Sequence, residues 1–277
     1  MGKNSKIQWT DSTVNPTKGC GGCELWGLNV SVCYAGRLTK RFGKSNKGLA
    51  KDFDVVELAP GRMAEAARWS DLSGTSRLDK PWLGAGRRKV FVGDMADILS
   101  KEVPFDYLQK ELIDVATSEL GRRHDWQLLT KRPQRLKLFA NWLSKRRIAW
   151  PTNVWVGTSV TRQSTTKRIA ALLKVGDRNI TRFVSVEPQL ERIDLSAFLP
   201  GLDWIIQGGE SGSPARAFDL SWADDLRGQC KRFRVAYFLK QLGSRVIEDG
   251  ERAYFEDRSG GNWPEWPPRL QVRQMPS

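Results

Sequence analysis

The sequence predicts an α/β fold in which about six to seven parallel strands form a full or partial (β/α) barrel of the TIM type, as a single domain with a C-terminal tail. Three observations predict it: short β-rich apolar runs recur along the chain, a polar or glycine-containing turn follows each run, and helical patterns lie between the runs. Strands that are apolar throughout and separated by helices are typical of parallel sheets covered on both faces. Spacing alone leaves an open doubly wound sheet as an alternative.

The segment IQWT at 7–10 is the predicted opening strand. The other predicted strands lie within six runs, at 89–97, 126–132, 153–160, 182–188, 203–212 and 235–243. Between them, apolar residues at helical spacing predict helices such as Pro104 to Leu120 and Trp222 to Arg232. Seven such runs predict one α/β domain over residues 1–248.

Residues 36–88 interrupt this pattern and form an irregular excursion between the first two strands. Glycine and proline break the pattern there around one clear helix, from Pro60 to Trp69. The final stretch, 249–277, contains a Gly-Gly pair and two Trp-Pro pairs. This composition predicts an extended tail packed on the surface or across one end of the barrel.

The chain is strongly basic, with 45 Lys and Arg residues against 31 Asp and Glu, a net charge of +14. Charge of this size indicates a polyanionic partner such as nucleic acid. The alternative is a soluble basic protein whose charges never converge on one surface. No apolar run approaches the ~18–20 residues of a membrane span, and the first residues lack the apolar core of a signal peptide. We therefore expect no membrane association and a location in the reducing cytoplasm.

Polar residues follow almost every predicted strand. In a barrel or a doubly wound sheet the working face lies at the carboxyl ends of the strands. The residues at these ends are Asp94, Asp97, Thr130, Lys131, Thr158, Ser159, Ser185, Glu187, Gln207, Glu210, Lys240 and Gln241. They predict a functional edge, although strand ends are exposed in any fold and carry polar residues for that reason alone.

Cys20, Cys23 and Cys33 form a C-x2-C-x9-C pattern on a glycine-rich loop between the first strand and a helix. In a reducing compartment such cysteines indicate ligands, nucleophiles or buried thiols rather than disulfides. A zinc site needs a fourth ligand, from Cys230 or the single histidine, His124. A four-iron cluster held by three cysteines leaves one iron open for a substrate or cofactor. We expect Cys230 itself to be a semi-buried structural thiol.

The cysteine loop resembles that of the radical S-adenosylmethionine (radical SAM) enzymes, and the whole chain resembles a phage and prophage family of radical-SAM-like proteins. The resemblance spans roughly residues 7–243 and lies in the Asn-Pro before the loop, Gly-Cys at 19–20, Cys-Tyr-Ala at 33–35, and the phrases VFVGDMAD, LLTKRP, NVWVGTSV, RFVSVEP, DWIIQGGESG and FLKQLG. The cysteine spacing departs from the usual C-x3-C-x2-C, and the aromatic Tyr34 follows the third cysteine. Closing the longer loop costs well under ~1 kcal/mol, so three-cysteine ligation stays possible.

The resemblance implies that Cys20, Cys23 and Cys33 ligate a [4Fe-4S] cluster whose fourth iron binds S-adenosyl-L-methionine (SAM). One-electron cleavage of SAM then gives a 5′-deoxyadenosyl radical that abstracts hydrogen from the substrate. A reductase or a flavodoxin- or ferredoxin-type protein is the implied electron donor. By analogy, Asp94 receives the methionyl amino group, with Asp97 beside it.

The resemblance also implies further SAM contacts at later strand ends. Those implied for the ribose hydroxyls and the carboxylate are Thr158, Ser159, Ser185 and Glu187. The Gly-Gly-Glu string at Gly208, Gly209 and Glu210 is the implied contact to adenine, through the backbone. Lys131, Arg132 and Lys240 either contact a phosphate or the SAM carboxylate or only solubilise the rim.

The positive charge and the family context together imply nucleic acid as the substrate, with a DNA base as the first choice. The implied reaction is rearrangement (isomerisation) of a modified thymine in phage DNA hypermodification, in the host cell cytoplasm if the protein is phage-encoded. A DNA-repair-type radical lyase is an alternative. Two other functions remain as alternatives. One is a zinc-stabilised nucleic-acid-binding protein without turnover, and the other is an enzyme that acts on a small molecule or peptide.

Overall fold

The structure, a computed structural model, describes residues 2–276. Met1 and Ser277, the first residue of the predicted domain and the last of the predicted tail, lie outside the described residues. The strands within the described residues are β1 (Ser12–Val14), β2 (Thr17–Lys18), β3 (Trp26–Gly27), β4 (Val30–Ser31), β5 (Glu57–Leu58), β6 (Arg88–Val92), β7 (His124–Thr130), β8 (Val154–Ser159), β9 (Arg182–Val186), β10 (Trp204–Gly208), β11 (Phe218–Asp219), β12 (Ala236–Gln241), β13 (Val246–Glu248) and β14 (Glu251–Ala253).

The α-helices alternate with the longer strands. They are α1 (Tyr34–Phe42), α2 (Arg62–Ala67), α3 (Phe105–Leu108), α4 (Val115–Thr117), α5 (Pro133–Lys145), α6 (Lys167–Leu172) and α7 (Leu220–Phe233). No helix within residues 2–276 is both long enough and apolar enough to cross a membrane.

Seven strands form the main sheet, in the order β1-β6-β7-β8-β9-β10-β12. Neighbouring strands run parallel, as in the pairing of Ser12 with Val90 and of Trp204 with Phe183. Every residue of β6, β8, β9 and β10 is buried, as expected for strands covered on both faces. The α/β class and the seven parallel strands are confirmed, in the partial rather than the closed form of the predicted barrel.

The chain divides into two compact units. The first runs to Val156 and includes Val175–Ile180, and the second comprises Gly157–Lys174 and the chain from Thr181 onward. The first unit contains the strands up to β7 and the helices up to α5, and the second contains β9 to β14 with α6 and α7. Strand β8 begins in the first unit and ends in the second.

The opening strand of the first unit lies at Ser12–Val14, so the prediction of a strand at 7–10 is wrong. That segment is a turn because the buried Lys80 ammonium donates to its carbonyls, and an ammonium shared in this way leaves them unavailable to a strand ladder. Two of these carbonyls, of Ile7 and Thr10, belong to the segment, and the Lys80 ammonium also donates to the Ser5 carbonyl just before it. Trp9 is buried by contact with Phe91, at 4.5 Å between ring centroids.

The helix predicted from Pro104 to Leu120 contains a π-helical segment, Gln109–Asp114, between α3 and α4. Such a segment often re-aims one side chain. Here the Glu111 carboxylate accepts the backbone N–H groups of Gly61 and Met63, at 2.6 and 3.4 Å, at the start of α2. The π segment therefore satisfies backbone donors that the short helix α2 leaves unpaired.

The C-terminal segment packs along β12 in the second unit. The Leu239 N–H donates to the Val272 carbonyl and the Gln274 N–H donates to the Tyr237 carbonyl, both at 2.9 Å. Phe238 also forms an antiparallel bridge with Arg273. The tail therefore supplies hydrogen-bond partners to the last strand of the sheet.

Candidate functional site

A short hairpin shapes the cysteine loop between β1 and α1. Cys23 and Trp26 exchange two backbone hydrogen bonds of 2.9 Å, and the Cys33 N–H donates to the Leu25 carbonyl at 2.9 Å. Cys33 is the N-cap residue of α1. The hairpin therefore places Cys23 and Cys33 at its base, beside the first turn of the helix.

Cys20 is fixed by the segment that follows α1. Its N–H donates to the Phe53 carbonyl at 2.7 Å. Gly19 has a φ of +73°, and a Cβ there would lie 1.9 Å from the Val55 carbonyl oxygen. Only glycine permits this close approach. Cys20 is buried with Phe53 and Ala35, and Cys33 packs against the same cluster.

Arg132, which follows β7, contacts the cysteine loop directly. Its Nη1 donates to Asp97 Oδ2 at 2.9 Å, and its Nη2 donates to the Gly22 carbonyl at 2.8 Å. The two nitrogens also lie 3.8 and 3.9 Å from Cys20 Sγ. One guanidinium thus connects an acidic side chain, a loop carbonyl and a thiol. The sequence suggested only a phosphate, a SAM carboxylate or solvent as its partner.

Asp97 is occupied by protein groups. It accepts hydrogen bonds from the Thr130 hydroxyl at 2.8 Å and from the Lys131 N–H and Leu99 N–H at 3.0 Å, besides the Arg132 guanidinium. A carboxylate with these four partners is a positioning group that orients Arg132 and the end of β7. The contact with SAM implied for Asp97 stays a prediction.

Asp94 follows β6 and is oriented by Asn15, from the Asn-Pro pair after β1. Asn15 Nδ2 donates to Asp94 Oδ1 at 2.5 Å, and Asn15 Oδ1 accepts the Met95 N–H at 3.0 Å. Burial raises the pKa of Asp94, and the hydrogen bond from Asn15 only partly opposes this. Sequence reasoning missed the role of Asn15, although the Asn-Pro pair marked its position.

The donor chemistry of the loop fits a three-cysteine cluster, but the thiols are not arranged as a preformed site. Among residues 2–276, no group of three or more His, Cys, Asp or Glu side chains has the geometry to hold a metal ion. Burial raises the pKa of Cys23, and the positive charge of Lys131 opposes this. A cysteine must lose its proton to ligate a metal, so the raised pKa of Cys23 opposes its ligation until the metal is present. The ligand set of three cysteines stays a prediction.

The two residues considered as a fourth zinc ligand are both buried. His124 lies at the amino end of β7, with Nε2 at 3.2 Å from the Ala67 carbonyl oxygen and its ring against Trp126. Cys230 lies in the second unit on α7, and burial raises its pKa to about 12. The structure thus places Cys230 as a fully buried, neutral thiol, more deeply than the semi-buried position expected.

In the second unit, Glu187 and Lys240 form an ion pair at the carboxyl ends of β9 and β12, with Nζ to Oε1 at 2.8 Å. The Ser185 hydroxyl lies 3.5 Å from the other carboxylate oxygen of Glu187. A Cβ at Gly208 would lie 2.8 Å from Glu187 Oε1, so glycine leaves room for the carboxylate. Thr158 and Ser159 are buried at the end of β8.

The Gly-Gly-Glu string forms hydrogen bonds with other residues of the protein. The Gly209 N–H donates to the Gln241 carbonyl at 3.1 Å, and the Gly209 carbonyl accepts Gln241 Nε2 at 2.9 Å. The Gly208 carbonyl accepts the Gln189 N–H. Glu210 accepts two hydrogen bonds from the Arg216 guanidinium, at 2.8 and 2.9 Å. Both carbonyls and the Gly209 N–H therefore already have partners, which leaves little for the contact to adenine that the resemblance implies.

The candidate site residues fall into two groups. The first unit holds Cys20, Cys23, Cys33, Asp94 and Asp97, and the second holds Thr158, Ser159, Ser185, Glu187, Gly208, Gly209 and Glu210. Apart from the cysteines, each lies at or just after the carboxyl end of a main-sheet strand, as the spacing predicted.

Comparison with known proteins gives a match to a protein family. No curated protein and no solved structure matches the chain. The family described as "Protein of unknown function (DUF5131)" matches residues 4–267, nearly the whole length. The chain therefore belongs to the DUF5131 family.

Proposed function

We propose that this protein is a radical SAM enzyme that holds a [4Fe-4S] cluster on Cys20, Cys23 and Cys33 and modifies a nucleic acid. The observation that carries the proposal is the glycine-rich loop at the carboxyl end of β1, which bears three thiols and has Arg132 hydrogen-bonded to the Cys20 sulfur. When bound, the cluster and SAM supply one-electron cleavage to a 5′-deoxyadenosyl radical that can abstract hydrogen from an unactivated C–H bond.

The residues of the first unit would bind and orient these groups. Asp94 is a half-buried carboxylate with a fixed orientation, and such a group suits the cationic amino group of SAM because ion pairing offsets its burial. Asp97 holds Arg132, and Arg132 holds the loop at Gly22 and Cys20. These contacts would keep the loop in place before and after the cluster is loaded.

The residues of the second unit offer a smaller polar group. Glu187 and Lys240 neutralise each other, and Ser185 lies within reach of the carboxylate. In the proposed function this group orients ribose or carboxylate oxygens and exchanges its internal partners for those of the ligand. Its partly buried position favours polar contacts, because water competes less there than at an exposed site.

The proposed substrate is a modified thymine in phage DNA, and the proposed reaction is its isomerisation. The net charge of +14 supports a polyanionic substrate more than it supports a small metabolite. The reductant would be a reductase or a flavodoxin- or ferredoxin-type protein in the host cytoplasm. Analysis of the product nucleosides separates isomerisation from repair-type cleavage.

Anaerobic purification followed by incubation with dithionite and SAM tests the proposal. We expect about four iron and four sulfide ions per chain and the release of 5′-deoxyadenosine. Single changes of Cys20, Cys23 or Cys33 to Ala should abolish iron loading, while Cys230→Ala should retain it. A colourless wild-type protein with one zinc ion per chain would falsify the proposal. Loss of the iron from Cys230→Ala would show that the ligand set is wrong.

A further inference from the structure

Helix α1, which begins immediately after Cys33, presents a row of cations to solvent. Arg37, Lys40 and Arg41 recur at helical spacing, which places them on one face of the helix, and Lys44 follows just after the helix ends at Phe42. The opposite face is buried through Ala35, Gly36 and Thr39. Residues 34–51 contain six Lys or Arg residues and no Asp or Glu. We call these four residues the α1 cation row.

The row borders a shallow groove beside the cysteine loop. The groove has a volume of about 310 Å³ and is lined by Trp26, Ser31, Arg37, Lys40 and Arg41. Trp26 belongs to the loop hairpin, and its indole lies against Gly36, where a Cβ would be only 2.4 Å from the ring. One wall of the groove is therefore the loop that carries the proposed cluster ligands.

Three cations of the row have no ion-pair partner among the residues that the structure describes. Lys40, Arg41 and Lys44 form no ion pair within residues 2–276, and all three are exposed. Like charges at this spacing repel each other. The helix dipole favours cations only in the last turn, which includes Lys40 and Arg41 but not Arg37. A bound polyanion would relieve the repulsion along the whole row.

We propose that the α1 cation row binds the phosphate backbone of DNA next to the cysteine loop. This inference rests on the proposed function for the claim that the bound DNA is the substrate. The helix rises ~6 Å from Arg37 to Arg41, and one DNA strand carries a phosphate for each ~3.4 Å of duplex axis, so the two side chains span about two phosphates along that axis. Exposed Tyr34, at the start of α1, and Phe42, which lies under the Arg41 guanidinium, add aromatic surface of the kind that packs against nucleotides.

The test measures binding of a fluorescein-labelled 20-base-pair DNA duplex by fluorescence anisotropy, between 50 and 300 mM KCl. Three full-length proteins are compared: the wild type, Lys40→Gln/Arg41→Gln, and the matched control Lys110→Gln/Lys145→Gln, which also removes two exposed cations without ion pairs in the described structure. Each lost phosphate contact lowers the slope of log affinity against log salt by about 0.9. We expect the slope of Lys40→Gln/Arg41→Gln to fall by about 1.8 and the control to keep the wild-type slope.

The inference is overturned if Lys40→Gln/Arg41→Gln binds the duplex with the wild-type slope, or if the control loses as much. Circular dichroism melting shows that each variant is folded. Release of 5′-deoxyadenosine by the wild type, measured separately, distinguishes the two proposals. If the duplex binds through the row but SAM is not cleaved, the proposed DNA-binding surface is supported and the radical SAM chemistry is rejected. If SAM is cleaved but the changes in the row do not affect DNA binding, the radical SAM chemistry is supported and the DNA-binding surface is rejected.

Discussion

At the scale of single residues, Arg132 is the group that ties the cysteine loop to the main sheet. Its guanidinium reaches Asp97, the Gly22 carbonyl and the Cys20 sulfur, and its side chain is only 21% exposed. Hydrogen bonds with a charged partner in such a place contribute more than exposed pairs do.

Arg132→Gln should therefore destabilise the protein and weaken its hold on iron. We expect a loss of about 1–3 kcal/mol in the free energy of unfolding, because the Gly22 carbonyl and one Asp97 oxygen lose a donor. Urea denaturation monitored by tryptophan fluorescence measures the loss, and iron content after gel filtration measures retention. Lys131→Gln is the control, since only the backbone of Lys131 bonds to Asp97. Equal stability of the two variants would contradict this role of Arg132.

Sequence reasoning at this scale located residues but not their partners. Parallel strands place their carboxyl ends at one edge, so Asp94, Glu187 and Lys240 could be predicted as strand-end groups. Their pairings, such as Asn15 with Asp94, join residues far apart in the chain and depend on the register of different strands. Periodicity carries no information on such contacts.

At the scale of elements, the loop hairpin and α1 depend on the contact between Trp26 and Gly36. A Cβ at Gly36 would come within 2.4 Å of the Trp26 ring, whose Nε1 is held by Asp54 Oδ1 at 2.7 Å. The ring also packs edge-on against Phe53, at 5.2 Å between centroids. Because these partners fix the indole, it has little freedom to move aside.

Gly36→Ala should destabilise the protein even though alanine favours a helix. We expect a loss of about 1–3 kcal/mol from overpacking against Trp26. Gly228→Ala, in the middle of α7, is the matched control, since a Cβ there meets no atom within 4 Å. It should gain about 0.5–1 kcal/mol from helix propensity. Chemical denaturation of both variants measures the difference, and a gain in stability for Gly36→Ala would mean that the indole is not held in place.

Sequence reasoning missed the elements in which a side chain forms hydrogen bonds with backbone groups. The residue types at 7–10 favour a strand, but the Lys80 ammonium donates hydrogen bonds to the carbonyls of this segment. The helical pattern after Pro104 is real, yet part of it is a π-helix, whose Glu111 accepts a hydrogen bond from the start of α2. In both places the deciding partner lies dozens of residues away.

At the scale of the whole molecule, part of the positive charge is buried in the interior. Six of the basic residues are buried, namely Arg77, Lys80, Arg88, Lys89, Arg182 and Arg273. Only three acidic residues are buried among the described residues, namely Asp11, Asp97 and Glu111, so the buried groups carry a net positive charge. Net charge counted from the sequence therefore overstates the charge available to a polyanion. For this reason an exposed group such as the α1 cation row is stronger evidence for DNA binding than the total of +14.

The C-terminal tail belongs to the core of the second unit. Arg273 lies over the rings of Trp263 and Trp266, at 4.6 and 5.2 Å from the centroids, and burial lowers its pKa to about 10. Leu270 is completely buried. Residues that pack in this way are part of the folded structure and not an added extension.

Leu270→Ala should consequently cost about 2–5 kcal/mol in the free energy of unfolding, as for a buried leucine in any core, because it leaves a cavity between the tail and the rest of the unit. Leu78→Ala is the control, since Leu78 is 95% exposed and its truncation removes almost no buried surface. Urea denaturation of the two variants gives the comparison. If Leu270→Ala were as stable as Leu78→Ala, the tail would contribute nothing to the fold. The hydrogen bonds that it gives to β12 would then be dispensable.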